Sequence, residues 1–490
     1  AHALLDNLTV TCDEGEMLDD YYAGHYYYSS GHEDEITDDH YVGHYDDHYA
    51  GHYQVDILAG HYYGGCASNG WVVKCWGWNG YGTLGTDDTT QRSSARDIVQ
   101  GLPAEEGIND VKCGYYHCCA LTRRGRLFCW GYNAYGQLGD YSTTTRNTAV
   151  EVSSGSDTAS TWLRDVVHFA VGDYSTCAYA ADDDLGDYLE SCPGEPWCVE
   201  NMPTGTLYCW GYNNYCQLGI GEGYSGSTTT SSNYPQPVLL DYQHIVQSVD
   251  IAPRHGCATT TNDAVYCWGD NSKGQFGNGE TGTGTTWANG DCRPVLMQGH
   301  NGSFTPTPAP SPLPTPRPSE DRVLGHHATE RIFAGHASTW VLNDYGRLHA
   351  TGKGNWGALA DDQNVATVTE LQATSDVLKN VAVVSVARWE QGTYGNCGAA
   401  ITETGRLFAW PSVGWACCGV TSNFEVFEIT AFPGTPVDVA VGGQASNCHL
   451  VAALEDGSVW SVGYNNQGQL GDDTTTNRRV DEPVRVKGLP

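Results

Sequence analysis

Residues 108 to 131 read "INDVKCGYY", "HCCALT", "RRG", "RLFCWG": short runs rich in apolar and β-branched positions, interrupted by a glycine-bearing turn. The pattern predicts strand, strand, turn, strand, and long helices are not expected. A three-residue turn of Arg123, Arg124 and Gly125 puts glycine where a positive φ is needed and sets Cys119 directly opposite Cys129 across the hairpin. The same arrangement recurs with Cys257 and Cys267 around residues 261 to 263, and with Cys66 and Cys75. A third hairpin places Cys177 against Cys209, its tip expanded over residues 180 to 203 and carrying a short pair of its own, Cys192 and Cys198.

Each hairpin runs into one phrase: "CWGWNGYGTLG", "CWGYNAYGQLG", "CWGYNNYCQLG" and "CWGDNSKGQFG", at Trp76, Trp130, Trp210 and Trp268. Degenerate copies follow at Thr351, Trp410 and Val462, making seven units spaced mostly 52 to 59 residues apart, with two longer intervals of 80 and 83. A period near 50 is that of propeller blades, each a small sheet that cannot bury its faces without neighbours. The predicted fold is therefore all-β: a seven-bladed β-propeller over residues 55 to 490, with insertions at 180 to 203 and 296 to 325, preceded by an extended segment over 1 to 54. In the degenerate units, registering on Gly346, Gly405 and Gly457 turns the paired cysteine positions into Trp340 and Ala350, Ala399 and Ala409, Val451 and Ser461. Both cysteines vanish together, as a disulfide within the blade predicts. The closing residues "EPVRVKGLP" are expected to give a strand to the first blade, which begins at Val55.

The phrases "AGHYYGGCA", "CGYYHCCALT", "DGSVWSVGYNNQGQLG" and "CWGYNAYGQLGDYSTTTRNTAV" resemble the repeat of the regulator of chromosome condensation family, strongly in units one to four and seven, weakly in five and six. The resemblance implies a seven-bladed propeller, closest to the secreted, cysteine-bearing variety. It also implies that Asn79, Asn133, Asn213, Asn271 and Asn465 form turns. The nucleotide-exchange role of the family's nuclear founder fits poorly with the acidity, the cysteine pairs and the glycosylation sequons of this chain.

Composition sharpens this picture. Sixty glycines and thirty tyrosines against nine phenylalanines suit short strands, tight turns and aromatic packing between them. A formal charge of −34 repels phosphate backbones and anionic membrane surfaces, and no apolar run approaches the roughly 20 residues that span a bilayer. Neither nucleic acid nor a membrane span is expected. Nineteen cysteines without C-x2-C pairs point to an oxidising compartment, and an opening "AHALLDN" without Met suits a mature secreted chain. Sequons at Asn7 and Asn301 agree with secretion, and the stretch "TPTPAPSPLPTPRPS" forms a polyproline rod whose Thr305, Thr307, Ser311, Thr315 and Ser319 suit O-glycosylation.

Residues 1 to 54 hold thirteen Asp or Glu, no Lys or Arg, and the word GHY at Gly24, Gly43 and Gly51, returning at Gly60 in the first blade. Their alternation of polar and aromatic residues suits an edge strand that could join subunits head to tail, or a flexible acidic tail. His25, His32, His40, His44, His48 and His52 lie among carboxylates, yet no defined metal site is expected, only loosely held Ca2+ near Asp38, Asp39, Asp46 and Asp47. No cofactor is expected.

No nucleophile elbow, Walker loop or H-E-x-x-H pair occurs, His117 reads as a packed strand residue, and Asp182, Asp183 and Asp184 as an exposed acidic turn. An enzyme is not expected. The cysteines at 12, 113, 118, 216, 292, 397, 417, 418 and 448 remain unassigned, with Cys397 or Cys448 as partners for Cys417 and Cys418, and Cys12 as the odd thiol. The function expected is that of an extracellular glycoprotein subunit assembling with copies of itself into a filament or wall layer. The alternative is a secreted binding module, a lectin or a protein inhibitor, holding its ligand on one face through aromatic residues.

Overall fold

A computed structural model of the chain describes residues 55, 57–154, 161–182, 204–221, 231–240, 245–261, 264–281, 292–297, 332–335, 337–342, 346–353, 368–386, 398–410, 426–443 and 448–489. Residues 1 to 54, Cys192, Cys198, Asn301, the hydroxyls of the Pro-rich stretch, Cys397, Cys417 and Cys418 lie outside them. Residues 52–490 form one compact unit.

Among the described residues the strands make seven antiparallel sheets, each from contiguous sequence. The first holds β1 (Ile57–His61), β2 (Gly64–Ser68) and β3 (Val73–Gly77). The second holds β4 (Ile108–Cys113), β5 (His117–Thr122), β6 (Leu127–Gly131) and β7 (Arg146–Glu151), and the third β8 (Val166–Val171), β9 (Ser175–Ala181), β10 (Gly205–Gly211) and β11 (Ser232–Pro237). The fourth holds β12 (Val246–Ile251), β13 (His255–Thr260), β14 (Val265–Gly269) and β15 (Val295–Leu296), and the fifth β16 (Ile332–Ala334), β17 (Ser338–Leu342), β18 (Leu348–Gly352) and β19 (Val368–Ala373). The sixth holds β20 (Val381–Val386), β21 (Gly398–Thr402), β22 (Leu407–Trp410) and β23 (Phe427–Ile429), and the seventh β24 (Pro436–Gly442), β25 (His449–Leu454), β26 (Val459–Gly463) and β27 (Val484–Arg485). The inner strands β1, β4, β8, β12, β16, β20 and β24 touch in that order and β24 returns to β1, so the sheets are blades of a closed seven-bladed propeller.

The repeated phrase builds the seam between blades. The indole Nε1 of Trp130 donates to the carbonyl of Thr83 at 2.8 Å, that of Trp210 to Gln137 at 3.0 Å, and that of Trp268 to Gln217 at 2.7 Å. Trp76 donates in the same way to Gln469 at 2.8 Å, so the bond that joins consecutive blades also joins the last blade to the first. These tryptophans are fully buried, and an indole buried with its N–H satisfied adds apolar contact without a desolvation penalty. The glycine that ends the phrase lies against the next indole: Gly139 has φ +67°, and a Cβ there would stand 2.6 Å from Trp210 Nε1. Only glycine satisfies both the backbone and the contact. In the fifth blade Thr351 stands in the tryptophan position and its hydroxyl donates to Gly274 at 2.9 Å.

The inner strands face the central channel with an unpaired edge, and at β1, β16 and β24 a polar side chain of the neighbouring blade caps it. Asp438 accepts from the Leu58 N–H at 3.2 Å, Asp250 from Ala334 at 2.8 Å, and Ser385 from Val441 at 2.9 Å.

The expected role of the C-terminal residues requires correction. Val484 and Arg485 pair with Ser461 and Trp460, so this segment is the outer strand of the seventh blade and not a strand of the first. Residues 232–237 are likewise the outer strand of the blade whose phrase precedes them, so a segment of this kind closes the blade it follows. Past that strand the chain reaches the first blade through single bonds, from Ala95 N–H to Lys487 carbonyl at 2.8 Å and from Lys74 Nζ to Gly488 carbonyl at 2.8 Å. These join the Trp76 indole bond to Gln469 and the apolar packing of Val55, Leu58 and Trp76 against Ala440, Val451 and Val486 in closing the ring.

Candidate functional site: a tyrosine-paved face

Two loops of each of the first four blades reach the same face of the ring: the turn between the first two strands, and the phrase after the third. One backbone hydrogen bond ties them together in blade after blade: Trp78 N–H to Tyr63, Tyr132 to Tyr116, Tyr212 to Tyr174 and Asp270 to Arg254, at 2.8 to 3.1 Å. Inside the phrase the asparagine side chain fixes the turn, its Oδ1 accepting from Leu84, Leu138, Leu218, Phe276 and Leu470 N–H for Asn79, Asn133, Asn213, Asn271 and Asn465, at 2.9 to 3.1 Å. All five asparagines are buried, which agrees with a turn-forming role.

The residues so presented are aromatic across the first three blades. Tyr81 lies 4.9 Å from Tyr116 and 4.7 Å from Tyr132, and Tyr135 lies 5.4 Å from Tyr174 and 4.8 Å from Tyr212, as ring centroids. Trp78 joins the pavement at 5.1 Å from Tyr116, and Tyr62 meets Tyr115 at 4.2 Å nearer the channel. Most pairs meet edge to face, the arrangement favoured by the ring quadrupole, so each ring holds its neighbour in place. Tyr81 and Tyr135 stand highest, 39% and 36% exposed. The pavement ends at the fourth blade, where the same positions carry Asp270, Lys273 and Arg254, and the Arg254 guanidinium lies 4.6 Å over Tyr215.

Burial pushes the Tyr115, Tyr116 and Tyr174 hydroxyls well above their ordinary range, with Asp173 adding to the effect at Tyr174. They stay neutral at physiological pH and keep their donor protons. Several tyrosines that the composition suggested would pack between strands thus stand on a face, while Trp76, Trp130, Trp210 and Trp268 fill the seams.

The histidine candidate is structural. His117 is fully buried, its Nε2 2.9 Å from Thr176 Oγ1, and that hydroxyl donates to Gln137 carbonyl at 2.8 Å. Its counterparts do the same work: His255 meets Thr339 at 2.9 Å, and His449 meets the Gly64 carbonyl at 2.9 Å across the closing seam. Burial drives the His61 and His255 imidazoles down to about 3, and the His449 ring beside His61 contributes there. Asp182 is exposed, and its neighbours Asp183 and Asp184 lie outside the described residues.

The structure brings Cys66 together with Cys75, Cys119 with Cys129, Cys177 with Cys209, and Cys257 with Cys267 as disulfides, each between directly opposed strand positions with Cα atoms 4.0 to 4.1 Å apart. It also joins Cys113 to Cys118 and Cys216 to Cys292. Cys216 replaces the glycine of the phrase and keeps its positive φ of 60°. Cys448 is also disulfide-bonded. The degenerate registers are Trp340 against Ala350, Ala399 against Ala409, and Val451 against Ser461.

The molecule is thus a β-propeller presenting an aromatic face. Models of the regulator of chromosome condensation (RCC1) repeat match residues 74–121, 124–179, 204–259 and 456–490, and again 108–137 and 247–275. The chain carries RCC1 repeats, matched in blades one to four and seven. It is 28% identical over 211 residues to the ultraviolet-B receptor UVR8 of Arabidopsis thaliana, covering 42% of this chain and 39% of that protein. It is 28% identical over 256 residues to the human E3 ubiquitin-protein ligase HERC2, covering 47% of this chain and 5% of that one. The chain therefore spans less than half the length of these curated relatives. Among solved structures, Prp20p of Saccharomyces cerevisiae superposes with a TM-score of 0.58 at 17% identity, over 84% of this chain and 85% of that one, a likeness of fold.

Proposed function

We propose that this chain is a secreted binding module whose tyrosine-paved face docks a partner protein presenting basic side chains. The observation that carries the reading is the placement of Tyr81 and Tyr135, half-exposed rings braced by buried neighbours on a rigid ring. Tyrosines of this kind bring large contact area with little rotamer entropy to lose, which is why they dominate interface hot spots. Lysine and arginine side chains suit them through cation–π contact, as Arg254 over Tyr215 already illustrates within the fold. The net charge of −34 favours encounter with such a partner. Secretion is supported by the buried cysteine pairs. No catalytic step belongs to this proposal. Filament assembly and attached glycans rest on residues 1 to 54 and 301 to 319, outside the described residues, and on the sequence argument alone.

The test is binding of the full chain to three arrays: peptides alternating Arg or Lys with Leu, the same peptides with Glu in place of the basic residues, and glycans. Basic peptides are expected to bind, and the double variant Tyr81→Ala/Tyr135→Ala to lose at least tenfold in affinity, about 1.4 kcal/mol. Basic-peptide binding untouched by that variant would refute the proposed face. Glycan binding lost in the variant would keep the face and replace the ligand class.

A further inference from the structure

Two disulfides of neighbouring blades lie side by side. Cys66 pairs with Cys75 in the first blade and Cys113 with Cys118 in the second, and the Sγ atoms of Cys66 and Cys113 stand 3.6 Å apart. The Sγ atoms of Cys66, Cys113 and Cys118 all lie within 4.8 Å of one another. A tetrahedral zinc ion with Zn–S bonds of about 2.3 Å sets its sulfurs about 3.8 Å apart; Cys66 and Cys113 already stand near that spacing, and Cys113 and Cys118, bonded to each other, reach it once their disulfide opens. Cys75, directly opposite Cys66 in the β2–β3 pair, is the fourth sulfur within reach once its own bond opens. Cys119 follows Cys118 but points to the other side of the strand, where it meets Cys129, so the cluster is confined to one seam.

We infer that the reduced form of this protein holds a soft divalent cation of the zinc class at Cys66, Cys75, Cys113 and Cys118. The ligands come from facing strands of two blades, so the sequence lacks the C-x2-C spacing of a zinc site and gives no local sign of it. Opening the pairs requires a thiol reductant of the glutathione class. Four reductant thiols become two disulfides, and their four electrons and four protons pass to the two protein disulfides, leaving four protein thiols. The cation then forms four metal–sulfur bonds and displaces the four thiol protons. Cys113 lines the central channel, which gives the ion a path, while Cys66, Cys75 and Cys118 are fully buried among Ala59, Val73 and Ala120, which keeps water from competing for the metal. In the oxidised form the same sulfurs are spent on each other, so the seam has two alternative locks.

The test uses the full chain reduced with a phosphine under anaerobic conditions and titrated with Co(II). One ion per chain is expected to give intense sulfur-to-cobalt charge-transfer absorption that Zn(II) abolishes. Cys113→Ser/Cys118→Ser is expected to lose that absorption, and Cys119→Ser/Cys129→Ser to keep it. Near-ultraviolet circular dichroism of the buried tryptophans monitors folding. If the first variant fails to fold, Cys66→Ser asks the same question. Absence of the absorption in the reduced parent, its survival in Cys113→Ser/Cys118→Ser or Cys66→Ser, or unfolding of the parent on reduction would each overturn the proposal.

Discussion

Blades one to four and blades five to seven solve one folding problem with different chemistry. In the first group the central hairpin positions are cysteine pairs and the phrase supplies an indole to every seam. In the second group the same opposed positions are Trp340 with Ala350, Ala399 with Ala409, and Val451 with Ser461, all buried. The sheets keep their register in both. A disulfide at these positions therefore locks a hairpin that apolar packing already specifies, and the large Trp340 beside the small Ala350 shows one way to fill the space without a covalent bond. The aromatic pavement divides the ring differently: it covers blades one to three, and in the fourth blade Arg254, Asp270 and Lys273 take the corresponding positions. Shape is common to the ring, whereas the candidate recognition surface is local.

The largest effect expected is on a seam. Trp130→Ala removes a fully buried indole and its bond to Thr83, and is expected to cost about 3 to 5 kcal/mol, read by urea unfolding. Opening a hairpin lock comes next. Cys119→Ala/Cys129→Ala releases a crosslink ten residues apart in sequence and is expected to cost about 2 to 3 kcal/mol under oxidising conditions. The converse substitution sharpens the comparison: Ala399→Cys/Ala409→Cys is expected to form a disulfide in the sixth blade, visible by mass spectrometry, and to raise the denaturation midpoint. Failure to crosslink would mean that the two groups of blades are not interchangeable at this position.

Acid is expected to weaken the seams as well. His61 and His255 are neutral in the fold, with burial holding both near 3, whereas an unfolded histidine takes its proton near 6.5. Their contribution is complete above pH 6.5 and is lost as pH falls from there toward 3, because only the unfolded chain gains the protons. Between pH 7 and pH 5 the loss is about 2 kcal/mol for each histidine, and His255→Gln is expected to flatten the pH dependence of unfolding by that share. The smallest effect on stability belongs to the face: Tyr81→Ala is expected to change unfolding by less than about 1 kcal/mol, since the ring stands partly in water.

The blade pattern was legible because strands, turn glycine and cysteine spacing all act within a few residues. The turn at Gly125 has φ +69°, and Cys119 falls opposite Cys129 by counting from it. The number of blades followed from the spacing of the phrase. What was not legible depends on contacts between blades. The outer strand Val484–Arg485 resembles its counterparts, but similarity alone does not say which phrase it pairs with. The tyrosine face was present as the doublets at Tyr62 and Tyr115 and as the recurring aromatics of the phrase, yet only the bonds tying Tyr132 to Tyr116 and Tyr212 to Tyr174 reveal that both sets reach one surface. The cluster of Cys66 with Cys113 is hidden for the same reason, since 47 residues of sequence separate atoms 3.6 Å apart.

The most direct test of the division between shape and recognition compares two double variants side by side, Tyr81→Ala/Tyr135→Ala and Cys119→Ala/Cys129→Ala, measuring the melting temperature and basic-peptide affinity of each. The account expects the tyrosine variant to melt with the parent and lose binding, and the cysteine variant to melt earlier and still bind while folded. Loss of binding in the cysteine variant below its melting temperature, or full binding by the tyrosine variant, would contradict it.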